Sequence, residues 1–181
     1  MMMRNLALPS IDPHEIFDNI IDAKQGVRSI RLRSIAPTIH NRFDEYDLSK
    51  FSLENMCKQS WKDVEKSDLC HCYRNSTYPL DSLKHEIKQA QPQICRRICQ
   101  YCGLNNVESI YDHYLPKESF PEYAVYGFNL VPCCFTCNAK KSEIFLRHGQ
   151  RQFINLYYDP IPQEKFLYVR ILEYNHEPVV S

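Results

Sequence analysis

Four cysteines in two pairs carry the most specific chemistry in this chain. Cys99-Gln100-Tyr101-Cys102-Gly103 and Cys134-Phe135-Thr136-Cys137 are both C-x-x-C knuckles. Two thiolates so spaced can turn toward one ion, and Gly103 lets the backbone curl behind the first pair. Four thiolates complete a tetrahedral shell around Zn²⁺ and leave no coordination position open, so this metal is expected to be structural and not catalytic. A redox dithiol, or cysteines that merely pack, are the competing readings of the same pairs. A plain zinc ribbon has a short loop between its knuckles. Here the interval holds Asp112-His113-Tyr114-Leu115-Pro116 and Phe128-Asn129-Leu130-Val131-Pro132, and the last cysteine is followed by Asn138-Ala139-Lys140-Lys141. An isolated Asp-His dipeptide is usually a surface pair and a lone asparagine a turn residue; the joint order is what points to a site.

The order C-x-x-C-G, D-H-x-x-P, N-L-V-P, C-x-x-C-N-x-x-K resembles the HNH endonucleases, whose fold is the ββα-metal motif. The resemblance covers Cys99 to Arg147, about a quarter of the chain. It implies phosphodiester hydrolysis, with DNA as the expected substrate because most of the family cuts DNA, leaving a 5′-phosphate and a 3′-hydroxyl. Such chemistry needs a base to deprotonate water and a cation to stabilise the phosphorane and the leaving oxygen. His113, neutral at working pH, can take the proton. Asp112 and Asn138 can offer oxygen ligands to a hard divalent ion, leaving positions for water and phosphate. The last histidine of the family's name is here Asn138. An amide oxygen in place of an imidazole nitrogen makes Mg²⁺ or Mn²⁺ the expected catalytic ion. By resemblance, Asn129 pins the loop that bears the histidine through hydrogen bonds to backbone. Lys141, one helical turn from Asn138 on the same face, would meet a phosphate oxygen, at a helix that begins near Thr136 and turns its positive end to the anion.

Other elements must hold this constellation. Asp12-Pro13-His14-Glu15, followed by Ile16, Phe17, Ile20 and Ile21, predicts a capped helix that stops at Lys24 and Gly26. Leu53, Met56, Cys57, Trp61 and Val64 predict a second helix over Ser52 to Lys66, and a third runs from about Asp81 to Gln89, closed by Pro92. Between the first two lie Lys24, Arg28, Arg31, Arg33 and Arg42 with no acid between Asp22 and Asp44, which suits a phosphate-binding arm, a solvated helix face or a partner surface. Gln152 to Tyr158 and Phe166 to Tyr174 are rich in aromatic and β-branched residues and predict a strand pair broken at Asp159-Pro160-Ile161-Pro162, with Phe166 to Leu172 buried on both faces. The expected architecture is α+β: residues 1–92 a helical region for docking a partner or nucleic acid, 93–150 the zinc-stabilised HNH module, and 151–181 a C-terminal strand extension.

Composition bounds the alternatives. With 44% hydrophobic residues, 181 residues can form one sizeable core or two small ones. No window approaches the roughly 20 apolar residues of a spanning helix, and Met1 to Ser10 lacks the marks of a signal peptide, so a cytoplasmic protein without membrane attachment is expected. Nine cysteines, an odd number, favour metal ligation over disulfides in a reducing compartment. Cys57, Cys70, Cys72, Cys95 and Cys133 have spacing too irregular to define a second metal site, although Cys70-His71-Cys72 invites the question. The formal charge is zero, 22 basic residues against 22 acidic, which counts against promiscuous high-affinity DNA binding but not against nuclease chemistry. The isolated module is therefore expected to bind DNA weakly and to depend on a regulatory partner, for which an ATPase of a bacterial defence complex is one reading. A non-catalytic zinc module that binds nucleic acid or protein is the competing one.

Overall fold

The computed structural model describes residues 5–105 and 110–161, and the backbone of 171–174 and 177–180. Helix α1 spans Pro13–Asp22, with Asp12 accepting from the backbone N–H groups of His14 and Glu15 and Pro13 opening the first turn. It buries Phe17, Ile20 and Ile21. The stop lies where the sequence predicts, and Gly26, at φ +64°, makes the reversal into the next helix, a backbone conformation open to glycine at little steric cost.

Helix α2 is long, Gly26–Ser49, and takes up the basic stretch. Its cations turn inward or sideways. Arg28 and Arg31 each place Nε on a carboxylate oxygen of Asp68, at 2.8 and 2.7 Å. Arg33 pairs with Asp22, Lys24 donates to the Asn75 carbonyl, and Arg42 reaches buried Glu122. Each of these five cations thus has a polar partner within the chain, which lowers the positive field that the stretch could offer a phosphate backbone.

The helix expected over Ser52 to Lys66 is absent. A single 3₁₀ turn at Leu53–Asn55 leads into a non-helical run, and helix α3 begins only at Asp63 and ends at Arg74. Tertiary bonds override the periodicity: the Cys57 carbonyl accepts from Arg42, the Trp61 indole donates to Glu122, and Glu65 caps the Lys62 N–H. Helix α4, Tyr78–Ala90, contains the third expected helix with one turn more at its start. Among the described residues no helix is long and apolar enough to cross a membrane.

Strands β1 (Ile110–His113) and β2 (Leu130–Cys133) pair antiparallel, with Asp112 opposite Val131 and His113 opposite Leu130. Helix α5, Phe135–Lys141, follows at once and packs on β1, completing a β-β-α unit in an α+β fold. A short hairpin, β3 (Leu146–Arg147) with β4 (Gln150–Arg151), comes next. The strand expected over Gln152 to Tyr158 is instead a set of bends and turns. Asn155 organises it, its side chain accepting from the Tyr157 N–H and its carbonyl from the N–H groups of Tyr158 and Asp159, so those donors are taken locally and not by a neighbouring strand. Strand β5 (Ile171–Tyr174) pairs with β6 (Glu177–Val180), a different partner from the one the sequence suggested, and the remainder of the stretch from Phe166, with its expected burial on both faces, lies outside the described residues.

One apolar core joins the amino-terminal helices to the β-β-α unit. Phe17, Ile20, Leu32, Phe43 and Tyr46 share it with Leu83, Tyr111, Tyr123, Tyr126 and Leu130. The site described next is therefore braced by helices far from it in sequence.

Candidate active site and metal centre

The four knuckle cysteines come together: one ligand atom from each of Cys99, Cys102, Cys134 and Cys137 lies within 4.8 Å of all the others. Cys102 and Cys134 place their sulfurs 4.0 Å apart. Four thiolates at about 2.3 Å from a tetrahedral zinc stand about 3.8 Å from one another, so the cluster has the dimensions of a zinc site and the donor set suits that ion. Local bonds preform each half. The Cys99 N–H donates to Leu104 O, and the Gly103 N–H donates back to Cys99 O with Gly103 at φ +71°. On the other side the Cys134 sulfur caps α5 by accepting from the Cys137 N–H, which holds that thiol below its usual range, at about 7. No second such cluster occurs among the described residues; Cys70 and Cys72 are buried in the helical region, and Cys133 is buried in β2.

Asp112 and His113 sit at the end of β1, where successive side chains point to opposite faces. Asp112 turns toward α5. Lys141 places Nζ 3.0 Å from one carboxylate oxygen and 3.2 Å from the other, and it also donates to the His113 carbonyl at 2.7 Å. Tyr101, from inside the first knuckle, donates its hydroxyl to Asp112 at 2.7 Å. Burial raises the Asp112 pKa, and Lys141 and Tyr101 oppose that shift by stabilising the carboxylate.

His113 turns the other way and is only 6% exposed. Its Nε2 lies 2.9 Å from the Ala124 carbonyl, which can only accept, so Nε2 carries the proton. The Tyr73 ring of α3 meets the imidazole edge-on, with centroids 4.3 Å apart. Burial pushes the His113 pKa down to about 3, so the ring is neutral at any physiological pH.

Asn129 is fully buried and clamps two loops. Its Oδ1 accepts from the Leu115 N–H at 2.8 Å, and its Nδ2 donates to Leu115 O and Tyr123 O at 3.0 and 3.2 Å. Asn129→Ala would leave the Leu115 N–H and carbonyl unpaired in the interior, while Tyr123 O keeps the Tyr126 N–H, and each unpaired group costs about 1–3 kcal/mol. A drop in folding stability of at least about 2 kcal/mol is expected for the zinc-loaded protein by denaturant titration; an unchanged midpoint would contradict the clamp.

Asn138 lies half-buried on α5, one turn before Lys141, without a side-chain hydrogen bond among the described residues. A carboxylate and an amide oxygen suit a hard ion, and Asp112 already binds a cation, the Lys141 ammonium. The structure thus brings Asp112 and Lys141 together, hands Asn129 to the loop after β1, and sets His113 on the opposite face. Lys141 is 1% exposed, and its hydrogen-bond partners among the described residues are Asp112 and the His113 carbonyl. Tyr101, Tyr73 and Ala124 escaped sequence reasoning. Only Tyr101 gave a signal, its place between two ligating cysteines.

Two antiparallel strands and a helix, closed by four cysteines in a cluster compatible with zinc, define an α+β protein with a knuckle-stabilised β-β-α unit. No protein-family model and no solved structure matches the chain. Over 62 residues it is 37% identical to Protein ea31 of Escherichia phage lambda, and over 62 residues 39% identical to Septu protein PtuB of Bacillus thuringiensis. The matched stretches are 34% and 32% of this chain but 21% and 24% of those relatives, so the likeness spans about a fifth to a quarter of their length.

Proposed function

We propose that this chain is an HNH-type endonuclease in which Cys99, Cys102, Cys134 and Cys137 hold structural zinc and His113 is the general base. The observation that carries the reading is the state of His113: with the Nε2 proton directed to Ala124 O, Nδ1 keeps its lone pair. Nδ1 takes a proton from water as the water oxygen bonds to phosphorus. The bond from phosphorus to the 3′ oxygen then breaks, and that oxygen is protonated by solvent, giving a 5′-phosphate and a 3′-hydroxyl. Asn129 keeps the strand end and the following loop in register, and Lys141 holds the Asp112 carboxylate ionised. A hard divalent ion, Mg²⁺ or Mn²⁺, bound by Asp112 and Asn138 would supply charge stabilisation at the phosphorane, which requires Asp112 to turn from Lys141 toward the phosphate that His113 serves. Because Tyr73 covers the imidazole, the reading requires water and phosphate to reach His113 past α3.

The likeness to Septu protein PtuB supports a more specific version, a nuclease subunit of a defence complex with an ATPase partner. Zero net charge agrees with it, since substrate affinity would then come from the partner. The test is plasmid cleavage by the purified, zinc-loaded chain, alone and co-purified with its genomic neighbours, with Mg²⁺ added or omitted. Divalent-dependent cleavage in either preparation is expected. Zinc-loaded protein that cleaves in neither would overturn the nuclease reading and leave a non-catalytic zinc module, whereas rapid cleavage and submicromolar DNA binding by the chain alone would remove the need for a partner.

A further inference from the structure

We infer that Arg42 and Trp61, both in the amino-terminal region and outside the motif residues, are positioning residues for His113 that act through Glu122. The inference rests on the reading of His113 as the base. Glu122 is an acid in an otherwise apolar stretch, Phe120 to Tyr126, and its side chain is completely buried. Its Oε1 accepts from Arg42 Nε at 3.0 Å and from the second terminal nitrogen at 2.9 Å, while Oε2 accepts from the Trp61 indole at 2.9 Å. The guanidinium is enclosed as well. It donates to Cys57 O at 2.7 Å, contacts Glu45, and lies 5.5 Å from the centroid of the Tyr123 ring.

The next two residues carry the consequence to the site. Tyr123 returns its hydroxyl to the Arg42 carbonyl at 2.9 Å and gives its own carbonyl to Asn129. Ala124 presents the carbonyl that takes the His113 Nε2 proton. Successive residues of this segment are thus tied to α2, to the chain before α3, to Asn129 and to the imidazole. A buried carboxylate and guanidinium contribute little net stability, because desolvating both charges offsets their attraction and an apolar replacement is often neutral. What such a pair does supply is a fixed direction, through charge-assisted bonds of defined geometry. Here that direction sets the Ala124 carbonyl, and the carbonyl decides which histidine nitrogen holds the proton.

The test is the tautomer of His113 in the full-length, zinc-loaded chain, read from imidazole ¹⁵N shifts and assigned by their loss in His113→Gln. Wild type should show the Nε2–H form. Arg42→Met/Glu122→Met removes both charges together, and Trp61→Phe removes one donor with little change in packing. Both should keep a cooperative thermal transition while the Nδ1–H form appears, more in the first than in the second. Cleavage by the double variant should fall about 10- to 100-fold, as is usual when the partner that orients a histidine is lost. Folded variants with an undisturbed Nε2–H signal would overturn the positioning role, and if the double variant does not fold, Trp61→Phe decides by the same signal. The tautomer is read without activity, so a wild type with Nε2–H and no cleavage would instead sink the assignment of the base.

Discussion

Cys134→Ser is expected to abolish zinc binding by the four-cysteine cluster and to unfold the β-β-α unit. Structural zinc bound by four thiolates contributes roughly 10–16 kcal/mol, as much as or more than the whole net stability of a typical domain, about 5–15 kcal/mol. Strands β1 and β2 keep the core they share with the helices, but α5 and the first knuckle have few other supports. Helix α5 has seven residues, too few to persist alone, and its cap is the Cys134 sulfur itself. The first knuckle adds a short set of backbone bonds, among them Gln100 N–H to Pro132 O at 3.2 Å, and an isolated bridge between Ile98 and Asn105. Loss of α5 would also remove Lys141 and leave Asp112 buried beside Tyr101 alone. Helices α1 to α4 bury apolar faces against one another, so far-UV circular dichroism should retain much of its helical signal while the cooperative transition broadens and shifts down. One zinc per wild-type chain and none in Cys134→Ser is the expected elemental analysis. Wild type without zinc, or a variant with an unaltered thermal transition, would show that the cluster is not a structural metal site.

His113→Gln should abolish cleavage while leaving the fold nearly intact. A base that removes a proton in the transition state contributes about 10²- to 10⁴-fold to the rate. Glutamine can still donate an N–H toward Ala124 O, but it has no nitrogen lone pair to accept the proton from water. His113→Ala should lose as much activity and also some stability, because it leaves the Ala124 carbonyl unpaired, at about 1–3 kcal/mol, and a gap beneath Tyr73. The two variants together separate chemistry from packing. Initial rates on supercoiled plasmid with saturating Mg²⁺, measured beside zinc content and melting temperature, provide the comparison. Cleavage at the wild-type rate by His113→Gln would mean that another group activates the water.

What was legible in the sequence was local. The thiolate spacing, the Asp12 cap with Pro13, the end of α1 and the periodicity of α4 each depend on contacts within a few residues, and so does the turn after Cys102, where Gly103 adopts a positive φ. The order of the motif blocks likewise anticipated that two strands and a helix would gather the four cysteines. Tertiary structure alone decided the rest. Arg42 and Glu122 are 80 residues apart and Lys141 and Asp112 are 29 apart, so neither pairing leaves a mark at helical or strand spacing. The first of them turned Arg42, the last cation of the basic stretch, into a brace of the core. It also drew Trp61 out of the helix its periodicity predicted, and the second engaged Lys141 with Asp112. The physical reason is burial: once the shared apolar core excludes water, each charge or donor enclosed with it must find a partner or incur a large desolvation cost, and that partner is whichever group the fold brings near.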